Sequence, residues 1–273
     1  MAIARRPRRG QPLAARSAQR LACWGWSPMA PAVVPVVAVT GPSGVGKTTL
    51  AESLCALVPP AAADASHSPQ QDGSTIIHQD DFFNVTLADP TDYGPDRPNL
   101  ETPSGVDWPR FVAAIEAARD DLAATGDGVG LVVVEGFLLL AADADSGHSG
   151  ALPLFDAVFF LDCPGEECLR RRLVRNPNRT TEQAAGLRSY WERCTWPGYL
   201  AFTAPVLEQL RAAPADERLA VIDATRSEDE VQSALWSAAT AHPRLQALQE
   251  QRDVTGQGGV GGAEQQGSSR PRL

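Results

Sequence analysis

Apolar positions along this chain follow two rhythms. Unbroken apolar runs at Val33 to Thr40, Leu131 to Val134, Ala157 to Leu161 and Leu219 to Ile222 are rich in β-branched and aromatic residues. Such runs predict strands buried on both faces, and Ser74 to His78 adds a shorter one. Between them the spacing changes to three and four. Lys47 to Val58 places Leu50, Leu54 and Leu57 on one side, and a helix opened by Pro109 does the same with Phe111, Val112, Ile115 and Leu122. Gly165 to Arg175, Trp196 to Leu210 and Ser227 to Ala239 continue the helical pattern. Strands alternating with helices predict an α/β fold, a parallel sheet of roughly five strands flanked by helices on both faces.

The breaks in that pattern set the organisation. Residues 59 to 74 are rich in Pro, Ala, Ser and Gly and predict a loop. Residues 80 to 108 hold Pro90, Gly94, Pro95, Pro98, Pro103 and Gly105, which predicts a long structureless loop of functional character. The folded domain is expected over 33–245. Ahead of it, residues 1–32 form an Arg-rich extension, expected to be disordered. Behind it, 246–273 is a Gly/Gln-rich stretch with few large apolar side chains, expected to be a disordered tail.

Charge and cysteine usage narrow the function classes. The chain has 273 residues and a formal net charge of −9, which argues against a general nucleic-acid or membrane-surface binder. No apolar run approaches the roughly 18 residues that span a bilayer. Cys23, Cys55, Cys163, Cys168 and Cys194 include no CxxC pair, so neither a zinc site nor a secreted disulfide framework is expected. A cytoplasmic protein is the default. Residues 1 to 51 nevertheless contain no Asp or Glu, and Arg5, Arg6, Arg8, Arg9, Arg16 and Arg20 crowd the start. That composition resembles a chloroplast or mitochondrial transit peptide over residues 1–28, ahead of Met29. The Lys+Arg total of 24 contains a single lysine, Lys47.

That lysine lies in Gly41-Pro42-Ser43-Gly44-Val45-Gly46-Lys47-Thr48, between a predicted strand and a predicted helix. The spacing G-x-x-x-x-G-K-[ST] in that context is a P-loop. Small residues let the backbone curl so that successive N–H groups cradle phosphates, and the helix N-terminus adds partial positive charge. Lys47 supplies a slim ammonium where the planar fork of arginine would not fit. Thr48 offers a hydroxyl to Mg²⁺, and Thr49 completes the expected ATP-binding loop.

Three further segments carry chemistry. Gln79-Asp80-Asp81-Phe82-Phe83 directly follows the second strand, where an open α/β sheet places its ligands. A carboxylate there can take the proton of an attacking hydroxyl. Leu131 to Val134 ends in Glu135, an acid at a strand end that suits a metal. Glu167 to Arg175 is a basic helix, with Arg171 and Arg175 on one face and Arg172 directed elsewhere. It predicts a lid that closes on phosphates.

QDDFF at 79–83, EGFLL at 135–139, ECLRRRLVR at 167–175, WPGYL at 196–200 and IDATRSEDE at 222–230 together resemble the nicotinamide riboside kinases, within the uridine-kinase-like P-loop kinases. The resemblance covers residues 33 to 240. It implies a P-loop NTPase fold with a helical lid, ATP and a ribonucleoside as ligands, Mg²⁺, and a monomer or small homo-oligomer. It implies Asp80 as general base, with Lys47 and Glu135 completing the catalytic set and Thr48, Asp80 and Glu135 at the metal. Arg171 and Arg175 would hold ATP phosphates, and Arg226, Ser227 and Glu228 would lie by the adenine. Asp81, Phe82, Phe83, Leu100, Glu101 and Arg172 would form the nucleoside site, Glu101 on the ribose hydroxyls and Phe83 against the pyridine. Leu100 stands where an aromatic is expected. The lid continuation, Asn176 to Thr195, lacks the expected Tyr after the arginine, and Tyr190-Trp191 are the candidates to substitute there.

The expected reaction is phosphorylation of the 5′-hydroxyl of nicotinamide riboside. A uridine/cytidine kinase or another small-molecule P-loop kinase is the rival enzyme, and a P-loop regulatory protein the non-enzymatic one. A GTPase-type switch would need a lysine in an N-K-x-D motif, which a chain with one lysine lacks.

Overall fold

The computed structural model describes residues 34–56, 73–88, 98–124, 130–141, 151–212 and 218–246. The expected Arg-rich extension and almost all of the Gly/Gln-rich tail lie outside these residues.

Five parallel strands form one sheet: β1 (Val36–Thr40), β2 (Ser74–His78), β3 (Leu131–Gly136), β4 (Ala157–Asp162) and β5 (Leu219–Asp223), in the order β2-β3-β1-β4-β5. The three central strands are buried almost throughout, as continuous β-branched and aromatic runs require when both faces are covered. Alternation splits their side chains between two cores. Val37, Val39, Leu131, Val133 and Phe159 pack under α1 (Lys47–Cys55), α3 (Gly165–Val174) and α7 (Glu228–Ala241). Val36, Ala38, Val132, Val134 and Phe160 pack under α2 (Trp108–Ala124) and α6 (Ala204–Ala212).

Strand β1 starts later than its apolar run. Val34 and Pro35 precede it, and the Val36 N–H is taken by the Asp156 carboxylate at 2.9 Å instead of by a neighbouring strand. Asp156 also accepts from Arg244 at 2.6 Å, which ties the chain after α7 to the amino ends of β1 and β4. Helix α1 is described to Cys55, so Leu57 and Val58 fall outside the described residues. Helix α7 is fixed by a capping box in which Ser227 accepts from the Glu230 N–H and Glu230 accepts from the Ser227 N–H.

Two expectations are corrected. The described part of segment 80–108 is not structureless. It forms a 3₁₀ turn at Gln79–Phe82, a bridge between Phe83 and Val106, and a second 3₁₀ turn at Pro103–Gly105. The Asn84 and Asp107 N–H groups bond back across it to Gly105 and Phe82 carbonyls, which converts the Pro/Gly pattern into a tethered loop. The helix beginning at Trp196 is not a uniform helix either. From α4 (Thr181–Tyr190) the chain runs through a π turn (Trp191–Thr195), the short α5 (Trp196–Gly198), a second π turn (Tyr199–Thr203) and then α6. Among the described residues, no helix is long and apolar enough to cross a membrane.

Candidate active site

The carboxyl ends of β1, β2 and β3 open into a cleft of about 860 Å³. At one end lies the loop 41–46. Gly41, Gly44 and Gly46 all have positive φ, at 144°, 88° and 104°. At Gly41 a Cβ would also stand 2.5 Å from the Leu161 carbonyl oxygen, and at Gly44 2.9 Å from that of Cys168. Glycine is therefore required twice over, for backbone hand and for close approach. The Lys47 ammonium donates to the Pro42 carbonyl at 3.1 Å, closing the loop on itself.

Register brings the acids together. His78 and Glu135 are direct partners at the ends of β2 and β3, and Asp80 follows two residues beyond β2. Glu135 is 6% exposed, a buried acid at a strand end. Its Oε1 accepts from the Thr48 hydroxyl at 3.3 Å and lies 2.8 Å from His78 Nδ1. Thr48, Glu135 and Asp80 all line the cleft. Two carboxylates and a hydroxyl are a hard oxygen donor set, the kind that holds Mg²⁺ together with substrate phosphates, so the residues present fit that ion.

Electrostatics tie these groups together. Removal from water pushes the Lys47 ammonium below its ordinary pKa, while the Glu135 and Asp80 carboxylates oppose the shift. Asp80 is pushed up, first by the protein walls around it, then by repulsion from Glu135, with Lys47 opposing. The Asp80 side chain still faces open cleft water, so its shift comes from the low-dielectric walls, not from enclosure. A carboxylate held above its usual range is a stronger proton acceptor than a free aspartate.

The other half of the cleft comes from four segments. Phe83 and Phe137 stack at 5.6 Å between centroids with 24° between planes, and Lys47 Nζ lies 5.9 Å from the Phe137 ring. Leu100 lines the cavity, and its N–H donates to the Tyr190 hydroxyl at 3.4 Å. Glu101 is 7% exposed. Its Oε1 accepts from Thr195 at 2.9 Å, and its Oε2 has no hydrogen-bond partner among the described residues. Burial raises its pKa, opposed by Thr195 and Arg172.

Helix α3 closes the remaining side. Arg171, Arg172 and Arg175 all line the cleft, so Arg172 is not directed elsewhere, as its spacing suggested. It donates to the Ser43 hydroxyl at 2.9 Å and lies 5.8 Å from the Trp191 ring. Arg171 is held by Glu167 at 2.8 Å and by the Ala224 carbonyl at 2.8 Å. A smaller adjoining cavity of about 280 Å³ lies between the P-loop, Arg171, Arg226, Glu228 and Val231.

Phe82, Asp81 and Ser227, all expected at the site, line neither cavity. Phe82 turns into the core against Phe111, 5.1 Å between centroids, because the 3₁₀ turn sends successive side chains to different sides. Asp81 is exposed and does not line the cleft. Ser227 is engaged in capping α7, with its hydroxyl 2.7 Å from Glu230. Sequence reading passed over His78, Phe137 and Thr195. Phe137 was signalled by its place two residues beyond the strand-end acid Glu135, directly after β3. His78 was signalled by strand parity, since it is the residue in register with Glu135. Nothing local marked Thr195.

No family model and no curated protein matches the sequence. Among solved structures, the chain is similar to a protein assigned as a fructose transport system kinase from Silicibacter sp. TM1040, at 20% identity and a TM-score of 0.45, over 71% of this chain and 96% of that one. It is also similar to a gluconokinase from Sinorhizobium meliloti 1021, at 17% identity and a TM-score of 0.42, over 78% of this chain and 96% of that one.

Proposed function

We propose that the protein is an ATP-dependent small-molecule kinase that phosphorylates the 5′-hydroxyl of nicotinamide riboside, giving nicotinamide mononucleotide. The observation that carries the reading is one continuous cleft with a P-loop, Lys47 and two carboxylates at one end, and a stacked aromatic pair and a buried acid at the other. The first end suits a nucleoside triphosphate. The second suits a flat ring joined to a hydroxyl-bearing sugar.

In this reading the P-loop N–H groups and Lys47 hold the β- and γ-phosphates, while Arg171 and Arg175 approach them from α3. Thr48, Glu135 and Asp80 would hold Mg²⁺, which when bound neutralises phosphate charge. Asp80 accepts the proton of the sugar hydroxyl as its oxygen bonds to the γ-phosphorus. The bond from that phosphorus to the β–γ bridging oxygen breaks, and ADP leaves. Phe83 and Phe137 supply the flat wall for the base. Glu101 accepts from a sugar hydroxyl. Arg226 and Glu228 lie by the smaller cavity, the place for adenine.

The test is purified protein with Mg-ATP and a panel of nicotinamide riboside, uridine, cytidine, pantothenate and a sugar phosphate, followed by ADP release. Preferential turnover of nicotinamide riboside is the expected result. Far better turnover of a pyrimidine nucleoside would overturn the substrate, and no ADP release with any acceptor would overturn the kinase reading.

A further inference from the structure

The path from Thr181 to Ala212 contains two π turns, and each ends on a buried threonine. Thr195 closes Trp191–Thr195 and Thr203 closes Tyr199–Thr203, with exposures of 3% and 0%. Each turn is defined by a long-range bond within the helix, Trp196 N–H to the Trp191 carbonyl and Ala204 N–H to the Tyr199 carbonyl. A π turn inserts one extra residue and so rotates everything beyond it by about 100° around the helix axis. Both insertions end with a hydroxyl facing the cleft wall. Thr195 donates to Glu101 Oε1 at 2.9 Å, and Thr203 donates to the Phe137 carbonyl at 3.2 Å.

A helical threonine usually donates to a carbonyl one turn back in its own helix. Thr240 in α7 does so, to Trp236 at 2.8 Å. Thr195 and Thr203 donate instead to residues far away in sequence, and both partners line the cleft. Between the two turns, Gly198 lets the helix backbone meet that of Glu101, because a Cβ there would overlap the Glu101 carbonyl oxygen. Three independent contacts thus run from this helix to the two walls where an acceptor would sit.

We propose that Thr195 and Thr203 are positioning residues for the acceptor half of the cleft. Thr195 fixes the rotamer of the Glu101 carboxylate and occupies one of its oxygens. Thr203 fixes the backbone at Phe137 and so the height of its ring above Phe83. The phosphate half makes no such contact with these threonines. This inference rests on the kinase reading for the identity of the two halves.

The test compares Thr195→Val and Thr203→Val, near-isosteric changes that delete only the hydroxyl function, with Thr195→Ser and Thr203→Ser. Each valine variant should raise the acceptor KM roughly tenfold, the effect of one buried hydrogen bond, while leaving the ATP KM within about twofold. The serine variants should restore the acceptor KM. Acceptor and ATP KM rising together, or a lowered melting temperature with both constants unmoved, would overturn the proposal. So would serine variants that fail to rescue.

Hydrogen exchange reads the same frame without substrate. Faster exchange is expected over residues 99–102 in Thr195→Val and over 137–140 in Thr203→Val. Unchanged exchange overturns the positioning role even where the kinase reading stands. The expected exchange pattern in a protein that transfers phosphate to no acceptor overturns the kinase reading alone.

Discussion

The two halves of the cleft are built by opposite methods. The half proposed to hold phosphate is a short continuous segment, Gly41 to Thr48, joined by Glu135 at the end of the neighbouring strand and by Asp80 two residues past β2. Its groups are aimed by backbone conformation and strand register, which leave little freedom. The acceptor half is assembled from residues 83, 100–101, 137 and 190–203, held by side-chain hydrogen bonds and ring contacts. Backbone-aimed groups tolerate change elsewhere but no change in themselves. Side-chain-aimed groups are adjustable one bond at a time, which would suit the half that, in the proposed reading, tells one acceptor from another.

Four experiments stress that contrast. Asp80→Asn should lower kcat by about a thousandfold while ATP binding, followed by a fluorescent analogue, changes little. Retained turnover would remove Asp80 as proton acceptor. Lys47→Arg keeps the charge but enlarges the group in a loop whose glycines already leave no room for a Cβ at Gly41. A loss on the order of a hundredfold, with weakened ATP binding, is expected.

The third experiment is a pH profile. The Asp80 pKa is raised above the ordinary 3.8, so kcat/KM should fall as pH drops through a value clearly higher than that. Stability moves the other way for this group. The folded state holds the Asp80 proton more tightly than the unfolded chain does, so its contribution improves as pH falls toward the unfolded value. Glu101 behaves likewise. The acid loss of activity should therefore precede any loss of circular dichroism and be reversible. The smallest effect lies at the opposite end of the sheet. Arg244→Ala breaks the 2.6 Å contact to Asp156 and should cost on the order of 1–2 kcal/mol in denaturant unfolding, with both KM values unchanged.

The same contrast explains what could be read from the sequence. The sheet, its helices and the phosphate half were legible because each depends on local signals: apolar runs, glycine spacing, and an acid directly after a strand. Strand positions at Ser74 to His78, Leu131 to Val134 and Leu219 to Ile222 agree with the structure to within two residues. Asp80, Phe83, Glu135 and Glu101 come together as their segments suggested. The π turns were not legible, because the apolar residues Trp196, Tyr199 and Phe202 keep three-residue spacing and read as one stripe, which hides the change of face that each inserted residue makes. Phe82 misled for the reverse reason. Its sequence position beside Asp80 suggested the cleft, and only the turn type sends it to the core. Thr195 is invisible locally because its partner lies 94 residues away.

The single lysine of this chain has one further consequence. Amine-directed acylation has one side-chain target here, and it stands at the floor of the phosphate cradle. Burial holds its pKa below that of an ordinary lysine, which leaves more of it as the free amine that acylation requires. A nucleotide seated on the P-loop would cover the same atom. In the proposed reading the protein thus carries its own occupancy gauge: modification of Lys47, followed by mass at that residue, would report whether the cradle is full.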